Sequence, residues 1–238
     1  PNYQDYNAVL GEPCKAHLFG TDEYGRDILS RILYGSRVSI SIGIVAQIVA
    51  SIVGIALGSL AGYYGGWLDN VISRVMEIFQ AFPDLIFAMA IMTFMGKGVL
   101  NLFIALGLLT WVRTARMIRA SVMQLKEKEY IEASRACGAS TYWIIMKGLV
   151  PNCLSTIIVL VTLGIPNAIM YEASLSFLGI GIQPPTPSWG NMISAAQTFI
   201  SYRPVYSIMP GVAIMITVIA FNIFGDGLRD ALDPKLRG

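Results

Sequence analysis

Charged residues, histidine and cysteine are all scarce in this sequence. Lys, Arg, Asp and Glu make up 13% of its 238 residues, whereas soluble domains carry about 25%. Cys14, Cys137 and Cys153 have no paired spacing and no histidine cluster beside them, and His17 is the only histidine. These shortages exclude a disulfide framework and predict that the chain binds no metal. The net charge of +2 is too small to favour nucleic-acid binding.

Catalytic and nucleotide-binding patterns are also missing. The sequence has no phosphate-binding loop of the G-x-x-x-x-G-K-[ST] type, and its carboxylates are scattered rather than clustered. We therefore predict that the chain is not an enzyme and that other subunits supply any energy it uses. Residues 1–17 are polar, without a secretory signal or an initiator methionine, so the protein's own N-terminus is expected to lie upstream.

Apolar residues are abundant, at 55% with a mean hydropathy of +0.60. Long apolar runs predict membrane helices, because about 20 residues at 1.5 Å each cross the hydrocarbon core. Five spans are predicted, over residues 38–64, 76–95, 100–120, 149–172 and 204–225. Pro83 and Asp84 interrupt the second span, and Gly164, Pro166 and Asn167 interrupt the fourth. Such breaks are tolerated where protein or a water-filled cavity surrounds them, which predicts a bundle built around a pathway.

A stripe of small residues runs along the first span at every fourth position. Such a stripe allows another helix to approach closely. That helix could belong to the same bundle or to a partner membrane protein, and the sequence does not choose between them. The stripe consists of Ala46, Ala50, Gly54, Gly58 and Gly62.

The basic residues predict how the spans are oriented. If Lys126 is cytosolic, eleven Lys and Arg residues lie inside and six outside. Residues 1–37 are then outside and the C-terminus, with Lys235 and Arg237, is inside. A row of three arginines at the inner end of the third span is interpreted as a positive-inside anchor, with lipid or partner binding as the alternative. These are Arg113, Arg116 and Arg119.

Residues 20–37 are predicted to form a helix on the outer membrane surface. Thr21 or Asp22 can cap its start, and Asp27 and Arg31 stand at i,i+4 on its polar side. An anchoring role is preferred to a role in gating.

The loop between the third and fourth spans predicts two short helices joined by a tight bend. Residues 129–137 should be helical, and Gly138 is suited to end that helix with a positive φ. Ser140 or Thr141 can start a second helix up to Met146. A short rigid element of this kind can dock on a soluble partner and transmit a displacement. An amphipathic helix on the lipid headgroups is the alternative. We call residues 129–146 the coupling element.

This loop resembles the signature of binding-protein-dependent ABC importer permeases. That signature reads E-A-A, three residues, G, nine residues, then I-x-L-P; Glu132, Ala133, Gly138 and Pro151 match it in register, and Ser134 is a mild departure. Gly148 and Val150 replace the later Ile and Leu. Further segments are similar to the dipeptide, oligopeptide and nickel branch, and most of all to its second, C-type permease. They are GTDEYGRD (20–27), EASLSFLGIG (172–181), PPTPSWG (184–190) and GDGLRDALDP (225–234).

The resemblance implies an all-α fold, a polytopic bundle with the type I importer core of about five membrane helices and a cytosolic coupling helix. Residues 1–37 would be an extracytoplasmic segment and 38–238 the permease domain, with its coupling loop at about 121–151. Members of this branch usually have one more membrane helix, before the GTDxxGRD segment. The implied location is the cytoplasmic membrane of a bacterium or archaeon.

The resemblance also implies partners and contact residues. The partners are a homologous second permease, two cytosolic ATPases that bind the ATP, an extracytoplasmic substrate-binding protein and membrane lipid; the chain itself would need no cofactor. The residues expected to contact an ATPase or shape the contact are Glu132, Ala133, Ser134, Gly138, Tyr142 and Pro151.

Glu172 and Asn167 are candidates for the pathway or its gate, because polar groups within spans are costly. For Glu172 a structural partner in nearby loops is the alternative. Residues 182–202 could dock the binding protein or form a stiff lid. Dipeptides or oligopeptides are the expected substrates, with nickel complexes and glutathione as alternatives. An ATP-independent secondary transporter is the competing class.

Overall fold

The computed structural model describes residues 1–232, so Pro234, Lys235 and Arg237 of the sequence argument lie outside the described part. Within it the chain is helical, and the bridge between Thr21 and Asp27 is isolated. The helices are α1 Ile28–Tyr64, α2 Gly66–Gln80, α3 Asp84–Met95, α4 Val99–Leu125, α5 Glu129–Ala136, α6 Thr141–Trp143, α7 Leu154–Phe177, α8 Trp189–Ala196 and α9 Pro204–Leu232. A π-helical turn, Ile144–Leu149, and a 3₁₀ turn, Pro151–Cys153, join α6 to α7. The predicted all-α membrane bundle is confirmed.

Within residues 1–232, four helical runs are long and apolar enough to cross a membrane, and a bent pair gives a fifth span if its two helices are taken together. The pair is α2 and α3, whose axes meet at 91°. Pro83 accounts for the break, because it lacks an N–H and disfavours helical backbone at the residue before it. The prediction of five spans, with the second too short to cross alone, agrees with this arrangement.

The small-residue stripe of α1 packs against α4 of the same chain. A Cβ at Gly54 would lie 2.6 Å from Cβ of Thr114, and one at Gly58 would overlap the backbone of Ala115. A larger side chain would therefore push the two helices apart. The stripe therefore contacts a helix of the same bundle, which was one of the two alternatives left open by the sequence.

The expected surface helix over residues 20–37 was wrong. Helix α1 begins at Ile28, and its N-cap is Asp27, whose carboxylate accepts a 2.7 Å hydrogen bond from the Ser30 N–H. Asp22 does not cap a helix because its buried carboxylate pairs with Arg26. Residues 28–37 are instead the first turns of a 37-residue helix.

The expected break in the fourth span was also wrong. Helix α7 runs without interruption through Pro166, which is buried in the bundle. Membrane helices tolerate such a proline because neighbouring helices compensate for the freed backbone groups. Gly164 serves another purpose, since a Cβ there would overlap the side-chain amide of Gln47 on α1.

Candidate functional site

The coupling element forms two helices joined at a bend. Helix α5 ends at Ala136, and Gly138 follows with φ +81°, a conformation that glycine adopts readily. The Ser140 side chain accepts a hydrogen bond from the Trp143 N–H and caps the second helix. The helix–bend–helix prediction is confirmed with Gly138 at the bend, and of the two cap candidates the structure has Ser140; the second helix continues from Ile144 as a π-helical turn.

Apolar side chains fix this element to the bundle. Ile131 and Ile144 are at most 1% exposed and pack in one cluster with Ile118 and Val122 of α4 and with Leu149. The first helix also lies close to the backbone that follows the element. A Cβ added at Gly148 would be 3.0 Å from the Ile131 methyl group. The element is therefore fixed to α4, and to the turn that leads into α7, by buried side chains.

The opposite face of the element carries the residues expected to meet an ATPase. Of those six, Ser134 is half-buried and the other five are exposed, namely Glu132, Ala133, Gly138, Tyr142 and Pro151. The Ser134 hydroxyl donates to the Tyr130 carbonyl at 2.7 Å, so it is already used within the helix. Ala133 itself is exposed, and the exposed Glu129 and Tyr130 precede it by one turn.

A second site is a cavity of about 410 Å³ that is open to the surface, with Arg113, Arg116 and Asn167 exposed in its wall; we call it the polar cavity after these side chains. Helices α1, α4 and α7 and the bend between α2 and α3 line it. Asn167, a predicted pathway residue, lies in its wall, where its amide donates to the Leu163 carbonyl at 3.2 Å. The polar lining is Gln47, Gln80, Asp84, Thr110, Arg113, Thr114, Arg116, Asn167 and Tyr171.

The three arginines of α4 have three different environments. The Arg119 guanidinium donates to the Asp69 carboxylate of α2, with Nη2 and Oδ2 2.6 Å apart. Arg116 donates to Gln80, and Arg113 faces the cavity. These contacts do not support the shared anchoring role predicted for the row. The partners are 36 and 50 residues distant in sequence, so local spacing contained no signal for them.

Glu172 lies apart from this cavity, and its side chain is completely buried. Its carboxylate accepts hydrogen bonds from the hydroxyls of Ser39 at 2.9 Å and Ser176 at 2.7 Å. Those hydroxyls in turn accept hydrogen bonds from the backbone N–H groups of Trp189, at 3.3 Å, and Ile182, at 3.0 Å. The carboxylate thereby ties α1 and α7 to the loop before α8.

Residues 182–202 are partly built into the bundle. Ser188 and Asn191 form a reciprocal capping box at the start of α8, and the Trp189 indole N–H donates to the Ile32 carbonyl at 3.1 Å. Pro184 and Pro185, joined by a cis peptide bond, are exposed. The exposed parts that could meet a partner are residues 183–186 and most of residues 197–202.

Comparison with known proteins gives relatives along almost the whole chain. The glutathione transport system permease protein GsiD of Pectobacterium atrosepticum is 43% identical over 236 residues, which cover 99% of this chain and 78% of that protein. The protein of the same name from Escherichia coli O6:K15:H31 is 42% identical over 237 residues, with 100% and 78% covered.

Solved structures agree on the fold. An inward-facing structure of the MetNI methionine ABC transporter matches with a TM-score of 0.67 and 21% identity, over 87% of this chain and 98% of the other. An amino acid ABC transporter with histidines matches with a TM-score of 0.64 and 15% identity, over 86% and 95%.

The family model for "Binding-protein-dependent transport system inner membrane component" matches residues 54–238. That region contains the coupling element and most of the polar cavity's lining. The chain therefore belongs to this family, as a multi-pass inner-membrane permease subunit of an ABC importer of the dipeptide, oligopeptide and nickel branch.

Proposed function

We propose that this permease moves short peptides across the membrane in response to ATPase subunits that dock on its coupling element. The observation that supports the proposal is that this element has one buried face and one exposed face. One side is fixed by the buried Ile131 and Ile144, and the other side, around Glu132 and Ala133, is exposed. An element that served only to connect two spans would need neither the capped second helix nor the rigid bend.

The packing offers a route by which a displacement of this element would reach the cavity. Ile131 contacts Ile118 and Val122, so a movement of the element acts on α4. Helix α4 is packed backbone to backbone on α1 at Gly58, and it contributes Arg113 to the cavity wall. Closely packed helices move as units, because a well-packed interior does not deform continuously.

The remaining partners follow from the same proposal. A homologous permease would cover the open side of the bundle, two ATPases would bind and hydrolyse the ATP, and a binding protein would deliver the substrate from outside. This chain would need no cofactor and would hydrolyse nothing. Of the coupling residues, Glu132 would make a polar contact with the ATPase, Ala133 and Ser134 would allow close approach, and Gly138 would set the angle.

Short peptides are the substrate class with the most support. The 42–43% identical relatives carry names that specify glutathione, which is itself a tripeptide. The cavity holds both signs of charge together with amide groups, as a zwitterionic solute requires. Glutathione is therefore the first substrate to test, with dipeptides, oligopeptides and nickel complexes as the alternatives.

A disulfide cross-link tests the docking surface directly. Ala133→Cys is made in a background with Cys14→Ser, Cys137→Ser and Cys153→Ala, and a second cysteine is placed in the groove of the co-expressed ATPase. We expect a cross-link whose yield changes when ATP is added. Lys15→Cys in the same background is the matched control, since residue 15 is predicted to face the other side of the membrane and should give none.

Two results would contradict the proposal. One is a folded, membrane-inserted Ala133→Cys protein that forms no cross-link with the ATPase in either nucleotide state. The other is uptake that continues without ATPase subunits, which would support the secondary-transporter alternative.

A further inference from the structure

The strongest unassigned feature is the charge inside the polar cavity. Arg113 lies near the middle of the 27-residue helix α4, and its side chain is exposed in the wall of the cavity. Ionisable residues in membrane spans usually face the bundle interior or a water-filled cavity, where they mark a pathway.

Arg113 differs from its neighbours on α4 in having no protein partner. Arg116 donates to Gln80, and Arg119 pairs with Asp69. Within residues 1–232 the Arg113 guanidinium has neither a hydrogen-bond acceptor nor an ion-pair partner. Its five N–H donors, arranged as a fork that suits a carboxylate, are thus available to a solute in the cavity.

The same cavity contains a single negative charge among its described lining residues. Asp84, at the start of α3, accepts a hydrogen bond from the Tyr171 hydroxyl through Oδ2, which leaves Oδ1 uncommitted. Asp84, Arg113 and Tyr171 all line this cavity, so the two charged groups border one space. Gln47 and Asn167 add amide groups to the same wall.

We propose that Arg113 binds the C-terminal carboxylate of the transported peptide inside the cavity, with Asp84 as the counter-charge for its ammonium group. Because the cavity lining carries two arginines and one aspartate, its net positive charge suits a peptide with a surplus carboxylate. The inference rests on the proposed function and adds a specificity residue to it. It places part of the substrate selection in the permease.

The test compares uptake of two probes by the complete complex, reconstituted in vesicles with its second permease, ATPases and binding protein. The probes are labelled glutathione and its C-terminal glycine amide. Each rate for Arg113→Gln is divided by the wild-type rate for the same probe, so capture by the shared binding protein cancels. We expect at least a tenfold loss for glutathione and less than a twofold loss for the amide. Arg113→Lys, which keeps the charge without the fork, should recover part of the glutathione rate.

Two matched variants control the comparison. Arg116→Gln removes the second arginine of the cavity, which Gln80 already holds, and should change the acid-to-amide ratio less than Arg113→Gln does. Arg74→Gln removes an exposed arginine outside the cavity, where it pairs only with Glu77, and should leave the ratio at its wild-type value.

The remaining outcomes overturn the inference in distinguishable ways. Equal losses for both probes in Arg113→Gln would make Arg113 a general structural residue. An Arg116→Gln effect as large as that of Arg113→Gln would assign selection to the overall positive potential. Loss of the second permease from purified Arg113→Gln complexes would make Arg113 an interface residue. A wild-type complex that transports neither probe with ATP would overturn the proposed peptide substrate, and the carboxylate site with it.

Discussion

The two ends of this molecule, which the basic residues predict to lie outside and inside the membrane, use polar residues in opposite ways. At the outer end Asp22, Arg26 and Arg31 are buried together; we call them the outer cluster. The Asp22 carboxylate accepts hydrogen bonds from Nε of Arg26 at 2.6 Å and from the Arg26 backbone N–H at 2.9 Å. At the inner end the coupling element has apolar anchors, and its charged residues Glu132 and Arg135 are exposed.

This difference indicates that one end stabilises the fold and that the other end is available to a partner. The outer cluster pairs its charges internally, although among the described residues the buried Arg31 Nε makes no hydrogen bond. Nearby Glu23 accepts a 2.6 Å hydrogen bond from Tyr206 of α9. The N-terminal segment is thereby tied to the last span. The coupling element keeps Glu132 outward, so a partner can meet it without first opening a buried cluster. Sequence motifs of equal prominence can therefore have unequal roles, and burial distinguishes them.

The largest effect is expected in the outer cluster. Asp22→Ala would leave two arginines buried without their shared carboxylate, which typically costs about 3–5 kcal/mol. Asp22→Asn keeps an acceptor for the backbone and should cost less. The measurement is the thermal stability of the purified protein in detergent, where we expect Asp22→Ala to be poorly recovered or strongly destabilised.

An exposed ion pair provides the control for that variant. Arg74 and Glu77 are 2.7 Å apart, with side chains 80% and 57% exposed, and exposed pairs contribute about 0–1 kcal/mol. Glu77→Ala should therefore be close to wild type. Equal destabilisation by Glu77→Ala and Asp22→Ala would show that burial does not set the cost, and the contrast between the two ends would fail.

Most of the bundle could be predicted from the sequence because spans and bends depend on local chemistry. A long apolar run defines a span wherever it packs, and Pro83 interrupts a helix in any context. Gly138 and Ser140 were predicted correctly at the bend and the cap for the same reason, since a positive φ and an N-terminal acceptor are local requirements.

The remainder depended on distant residues. Thr21 and Asp22 have the chemistry of a helix cap, but Arg26 and Arg31 compete for the Asp22 carboxylate, so α1 starts later, at Ile28. The arrangement of the cavity is equally non-local, since its polar lining comes from different helices of the bundle. A row of arginines at every third position predicts one shared role, but the structure gives them three different environments. Arg116 contacts Gln80, Arg119 pairs with Asp69, and Arg113 lines the cavity.

An intermediate effect is expected at the anchor of the coupling element. Ile131 is fully buried, and an Ile→Ala change in a core costs about 2–5 kcal/mol. Because its cluster includes α4 but not the outer half of the bundle, the loss should be local. We expect Ile131→Ala to raise amide hydrogen exchange across residues 129–146 while exchange in residues 28–50 stays at the wild-type rate.

The control for Ile131→Ala is an isoleucine outside any core. Ile52 on α1 is 64% exposed, so Ile52→Ala should leave exchange in the coupling element unchanged. A uniform rise of exchange throughout the Ile131→Ala protein would mean that the element is continuous with the global core and does not respond as a unit.

The smallest effect is expected at the bend. Gly138 has φ +81°, and a Cβ added there would have no neighbouring atom within 4 Å, so Gly138→Ala meets no clash and costs only backbone strain, about 1–2 kcal/mol. Gly227 on α9 is equally open but has no positive φ, and alanine there should stabilise the helix by about 0.5–1 kcal/mol. The cost of Gly138→Asn should lie between those of glycine and alanine at this position, since asparagine tolerates this conformation better than alanine.

We expect Gly138→Ala to lower peptide uptake per ATP hydrolysed while thermal stability falls only slightly. If Gly138→Ala and Gly227→Ala had the same effect on that ratio, the bend would only connect two helices, and its angle would not matter for coupling to the ATPase.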